Sequence, residues 1–163
     1  MTAVKPTLVV KTVDLKRFQH QLQQLSEAAQ REALVKAATV GSLVVETHTK
    51  MNILANFTMR TGTLLNNWSR GILRSERTRA EVFFGTNTVY ARIHEFGGVI
   101  RPLTARALAF ETADGGFHIV QQVTIPARPY VRPAMDNNHE EIMTAIINEV
   151  KQRIRGRVPG SVR

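Results

Sequence analysis

A long helical periodicity in the first third of the chain sets the strongest limit on its fold. Between Ser26 and about Asn52, the residues Leu34, Ala37, Ala38, Gly41, Val44, Val45 and Met51 recur three or four apart, which puts them on one face of a single helix. Ser26 is of the type whose side chain caps helix N-termini. A stripe that mixes Ala and Gly with branched residues lets another element approach closely. The face therefore reads as core, and His48 on it reads as a satisfied core histidine. A second stripe, Ile142, Ala145, Ile146, Val150 and Ile154, describes a helix running to about Arg155, where Gly156, Pro159 and Gly160 end the pattern. Pro133 can open that helix, since a proline in the first turn gives up no hydrogen bond. Glu140 and Glu141 near its start complement the helix dipole.

Short β-prone runs occupy the rest. Residues 8–12 form one, followed by Asp14 as the cap of a helix carrying Leu15, Phe18 and Leu22. Thr61, Gly62 and Thr63 punctuate the chain before Leu64 and Leu65. In the run 80–85, Ala80, Val82 and Phe84 share one face; a turn at 85–87 then leads to a helical pattern over 89–96 that Gly97 and Gly98 stop. Runs 107–111 and 117–125 read as a hairpin joined through Asp114, Gly115 and Gly116, residue types that tolerate turn geometry. Alternation puts Phe117, Ile119, Val123 and Ile125 on one side and His118, Gln122 and Thr124 on the other, predicting one buried and one polar face. Pro126, Pro129 and Pro133 stiffen the following segment. The sum is an α+β fold in one domain over residues 1–155: a small antiparallel sheet packed against the long helix of the N-terminal half and the C-terminal helix. A flexible basic tail is expected at 156–163.

The 163 residues carry a net charge of +9, which raises the question of nucleic acid. Two clusters hold much of this charge: Arg70, Arg74, Arg77 and Arg79, and the terminal group Lys151, Arg153, Arg155, Arg157 and Arg163. Aromatic residues make up 6% of the chain and only Trp68 lies near the first cluster, so no base-stacking platform is built into either. Solvated charge or the docking of an acidic protein is the favoured reading, and a basic DNA-binding accessory protein is the alternative.

Catalysis finds no foothold. There is no cysteine, hence no disulfide, thiolate nucleophile or sulfur-ligated metal. His94 and Glu95 begin like a zinc-protease helix, but Gly98 stands where the second histidine ligand is needed. His20, His48, His118 and His139 are scattered singly. Ser42, Ser69 and Ser75 lack a nucleophile-elbow context, and no glycine-rich phosphate loop is present. No catalytic residue, metal or cofactor is expected; a hydrolase or nuclease is the weakest reading, and no apolar run is long enough for a membrane span.

Three ordered segments add a resemblance: Gly85-Thr86-Asn87, then Tyr90-Ala91-Arg92-Ile93-His94-Glu95-Phe96-Gly97-Gly98, then Ile125-Pro126-Ala127-Arg128-Pro129-Tyr130-Val131-Arg132-Pro133-Ala134, with Thr61-Gly62-Thr63-Leu64 ahead of them. Together they resemble the tail-completion and head-tail joining family of long-tailed bacteriophages, with its virion morphogenesis and minor tail relatives, from Thr61 to the last helix. The resemblance implies a structural virion protein of the tail or neck, assembled in the host cytoplasm. It would form a homo-oligomeric ring of six copies that touches a tail terminator or tail tube protein on one side and a head-completion or adaptor protein on the other. Genomic DNA would pass through the lumen without sequence-specific binding, so the basic clusters are expected to face protein or the outside. Within the motifs, Tyr90, Ile93 and Phe96 are expected to pack onto the sheet, with Gly97 and Gly98 allowing a chain reversal. Arg128, Tyr130 and Arg132, in a stiff proline segment, are the interface candidates.

Overall fold

The computed structural model describes residues 23, 25–58, 61–112 and 115–155. The expected strand at 8–12, the helix carrying Leu15, Phe18 and Leu22, the turn residue Asp114 and the tail at 156–163 lie outside the described residues. The elements run α1 (Glu27–Asn56), α2 (Thr63–Asn66), β1 (Ser69–Ser75), β2 (Ala80–Gly85), α3 (Ala91–Phe96), β3 (Gly98–Ile100), β4 (Leu108–Glu111), β5 (Phe117–Val120), β6 (Val123–Ile125), α4 (Val131–Asp136) and α5 (His139–Arg155). The fold is α+β.

Ser26 caps α1 as its residue type suggests, its hydroxyl accepting from Ala29 N at 3.3 Å. The buried side of α1 is a row of every fourth residue: Ala29, Ala33, Ala37, Gly41, Val45, Thr49 and Ile53. Helix α5 answers with Ile142, Ile146, Val150 and Ile154, also four apart, and the two helices pack along this seam. Gly41 sets their approach: a Cβ there would lie 2.8 Å from Ile146 Cδ1. Met51, expected in the core, is exposed, because the buried row advances by four and leaves position 51 on the far side of the helix. His48 is satisfied, but at the rim of the seam, with Nε2 2.8 Å from Glu141 Oε2.

The β-structure departs from the single sheet expected. It forms three antiparallel two-stranded ribbons, β1–β2, β3–β6 and β4–β5. The β1–β2 ribbon, with a register shift between Ile72 and Arg74, lies on α1 and contributes Phe84 to the core. The run 117–125 is broken at Gln121 and Gln122 into two strands. Opposite that break the outgoing arm makes an excursion over 101–107, and Pro102 there has no N–H to donate to a ladder.

Pro133 sits inside the short α4 rather than at the start of the last helix. The chain turns at Asn137 and Asn138 before α5 begins. Asn138 Nδ2 donates to Ala134 O at 3.0 Å and its own carbonyl accepts from Ile142 N, so this asparagine closes one helix and opens the next. Two buried clusters result. One lies along the α1–α5 seam, the other gathers Ile53, Leu64, Ala91 and Tyr130, and Trp68 packs against both. No described helix is long and apolar enough to cross a membrane.

Candidate functional site: a buried clamp beneath an exposed hairpin

The segments 90–98 and 125–134 meet at Tyr130, with Leu64 of the Thr61 element packed beside them. Its side chain is 1% exposed and lies edge-on to Phe57 and Trp68, with ring centroids 5.8 and 6.2 Å away. Trp68 in turn stacks on Phe84 at 4.6 Å. Every polar atom of Tyr130 has a partner: the hydroxyl donates to Ala91 O at 2.8 Å, the amide donates to Glu95 Oε2 at 2.8 Å, and the carbonyl accepts from Asn52 Nδ2 at 2.9 Å. Burial, then the neighbouring Glu95 carboxylate and Tyr90, push the phenol well above its usual range. Tyr130 is therefore spent on the interior, which corrects its assignment as an interface anchor.

Glu95 was singled out within the motif that carries the resemblance, but what it binds was not foreseen. Only 8% exposed, it accepts from the amides of Tyr130 and Val131 through Oε2 and from that of Arg132 through Oε1, at 2.8, 3.0 and 3.0 Å. These are amides at the start of α4, which has no side-chain cap from its own N-cap residue Tyr130. An uncapped helix start leaves backbone donors that need acceptors, and a carboxylate 35 residues earlier supplies them. The missing local cap after Pro129 was the signal available in the sequence.

The orientation of α3 follows from this clamp. Ala91 and Glu95, four apart, face inward, while Tyr90 and Phe96 are exposed, against the expectation that Tyr90, Ile93 and Phe96 would pack onto the sheet. His94 lies between the rings of Phe57 and Tyr90; burial and then Arg128 lower its pKa below the usual 6.5. Its carbonyl accepts from Arg128 N at 2.8 Å, which ties the extended Pro126 and Pro129 segment to α3. Gly97 is required where it stands. With φ of 70° and ψ of 179°, it presses so close to the returning strand that a Cβ would sit 2.8 Å from Ala127 N. Gly98 follows at φ 157° and opens β3. Gly85, by contrast, has open space around it; in its segment Thr86 matters more, its hydroxyl accepting from Thr88 N and donating to Thr88 Oγ1.

Beyond Gly97 the chain leaves the body. Residues 98–125 run out through β3 and β4 and back through β5 and β6, with Gly98 opposite Ile125 at the base and Glu111 opposite Phe117 toward the tip. Gly115 (φ 82°) and bonds from Thr112 N to Gly116 O and Gly115 N to Thr112 O form the turn. The expected buried face is not buried: Phe117 and Ile119 are 69% and 68% exposed, because the strands of β4–β5 pair with each other and no other element packs extensively on them.

The basic clusters also resolve. Arg70 pairs with Glu46, Arg74 with Glu76, Arg77 with Glu27 and Arg79 with Glu81, and Arg153 with Glu149 and Glu32. Exposed pairs contribute little to stability, but each cancels positive charge that a phosphate backbone would need. Arg128 and Arg132 differ. Their guanidinium groups lie over Phe57 and Phe96, 6.0 and 5.8 Å from the ring centroids, and no described carboxylate pairs with either.

A family model described as the phage virion morphogenesis family matches residues 48–151, a stretch that spans the clamp, the hairpin and most of α5 but only the C-terminal end of α1. The chain belongs to the phage virion morphogenesis family. Its role is in building the phage particle, and it is a virion-associated protein. Comparisons with curated proteins and with solved structures returned no match. Within the matched stretch, Ala91, Glu95 and Gly97 from one motif segment and Tyr130 from another interlock where the hairpin leaves the body.

Proposed function

We propose that the protein is a ring-forming subunit in the neck or at the head-proximal end of the tail, where it completes the tail or joins it to the head by binding and without catalysis. The observation that carries this reading is the apolar surface a single copy leaves bare. Phe117 and Ile119 share one face of β4–β5 and Phe110 lies on the other; all three are exposed, as are Val99, Ile100 and Leu103. Large apolar side chains left bare on one projecting element mark a protein contact. Self-association through two different surfaces continues from copy to copy until it closes, which yields a ring; six copies is the number the family resemblance implies. A tail terminator or tail tube protein and a head-completion or adaptor protein are the neighbours.

The lumen would carry DNA. Pairing of Arg70, Arg74, Arg77 and Arg79 with carboxylates supports a surface of muted attraction for phosphate, and a shallow dependence of DNA binding on salt is expected. The test of the whole reading is mass by light scattering over concentration and salt, with negative-stain images of large species. Closed rings of uniform size are the expected result. A strict monomer that binds duplex DNA with a steep salt slope would overturn it in favour of a DNA-binding accessory protein.

A further inference from the structure

We propose that the tip of the β4–β5 hairpin docks, in the next copy of the chain, on the aromatic shelf capped by Arg128 and Arg132. This rests on the ring reading and says which surfaces make it.

The hairpin face follows from its register. Ala109 lies opposite Ile119 and Glu111 opposite Phe117, and directly opposed residues share a face. One side of the tip therefore presents Phe117, Ile119 and Ala109 with a single carboxylate, Glu111. Charge separates this element from the rest of the chain: residues 107–125 contain no Lys or Arg in a protein of net charge +9.

The receiving surface lies at the foot of the hairpin. Phe96 is 55% exposed with the Arg132 guanidinium above it, and Arg128 lies over Phe57. Arginines on the β1–β2 ribbon have carboxylate partners in their own chain. Arg128 and Arg132 have none among the described residues, since the nearby Glu95 is committed to three backbone amides. An aromatic shelf with two uncommitted guanidinium groups suits an apolar face edged by a carboxylate.

In one copy Phe117 and Ile119 are left bare, and no ion pair joins Glu111 to Arg128 or Arg132 among the described residues. Phe117 stands eight residues along the returning strand from Ile125, a span of up to about 26 Å at about 3.3 Å per residue. Contact is thus made in trans, each copy offering its hairpin to one neighbour and its shelf to the other.

Because the chain lacks cysteine, single thiols report the contact cleanly. Phe117→Cys protein, isotopically labelled, is mixed with unlabelled Arg132→Cys protein under mild oxidation, and mixed dimers are counted by mass spectrometry against a control pair with Lys36→Cys on the outer side of α1. The expected yield is at least about tenfold above the control. In parallel, Glu111→Arg and Arg132→Glu are each expected to raise the concentration for half-assembly at least about tenfold, and the double variant to restore it. All these positions are exposed, so circular dichroism and melting should match the parent. Rings that form with control-level cross-linking and no response to charge reversal overturn the docking and leave the ring standing. Absence of any self-association in the parent overturns both.

Discussion

The clamp around Tyr130 and the hairpin over residues 98–125 are built to opposite rules, although the chain passes from one to the other at Gly97. In the clamp every polar atom of a buried tyrosine is matched and one carboxylate satisfies three amides. In the hairpin Phe117 and Ile119 are bare, and the tip is held by its own strand pairing, the turn bonds at Thr112 and the stacking of Phe110 on His118. The first arrangement stabilises one copy; the second leaves apolar area to be buried later. A chain that separates the two can fold before it assembles.

A set of substitutions and a pH series can break or sharpen this contrast. Glu95→Ala should have the largest effect, about 3 kcal/mol lost in urea unfolding, because it strands donors in a mostly dry site. A cost below about 1 kcal/mol would mean that water caps α4 as well as Glu95 does. Gly97→Ala should cost about 2 kcal/mol, combining a backbone region that side chains rarely adopt with a clash against Ala127 N. Gly41→Ala tests the body away from the clamp. Its gain in helix propensity, about 1 kcal/mol, opposes overpacking against Ile146, and a net loss of about 1 kcal/mol is expected. Ile146→Val in the same protein removes the clashing Cδ1 and should recover part of that loss, as a double-mutant cycle would read.

On the hairpin the same assays should barely move. Phe117→Ser with Ile119→Ser should change stability by less than about 0.5 kcal/mol while sharply reducing self-association. A large drop in melting temperature would show that the hairpin stabilises the single copy, and the contrast would fail. The smallest effect belongs to His94. Its folded pKa is lowered, by burial and then by Arg128, so below pH 6.5 the unfolded chain takes up a proton that the folded chain resists. Stability should therefore decline slightly as pH falls from about 7 through this window, and His94→Asn should remove that component of the melting curve.

The two helices of the seam were legible because each stripe repeats locally; Ser26, Ile142, Ile146 and Val150 needed no knowledge of distant residues. Met51 shows the limit of such reading: being apolar and near the right spacing does not place a residue on the row of every fourth position that α5 covers. Pro133 misled for a related reason. It fits any first helical turn, and the break at Asn137 and Asn138 decided which helix that was. The alternation in 117–125 was correct within each of the two strands that the break at Gln121 and Gln122 leaves, but carried no information on whether anything covers it. Glu95 was read as part of the fold motif and as half of a failed metal motif, but its role as a cap was not legible, since its partners at Tyr130, Val131 and Arg132 lie far along the chain. The basic cluster of Arg70, Arg74, Arg77 and Arg79 looked like free charge because two of its partners, Glu27 and Glu46, come from another element.

Gly98 pairs with Ile125 and His94 O holds Arg128 N, so the hairpin begins and ends at one fixed gate. A segment inserted this way is nearly independent of its own length: doubling a flexible loop adds only about 0.6 kcal/mol of closure cost. Related phages could lengthen, shorten or exchange the segment between positions 98 and 125 and keep the remainder of the protein unaltered. Divergence among relatives should then concentrate in that stretch, and a chimera carrying another family member's hairpin should fold normally while recognising that member's neighbours.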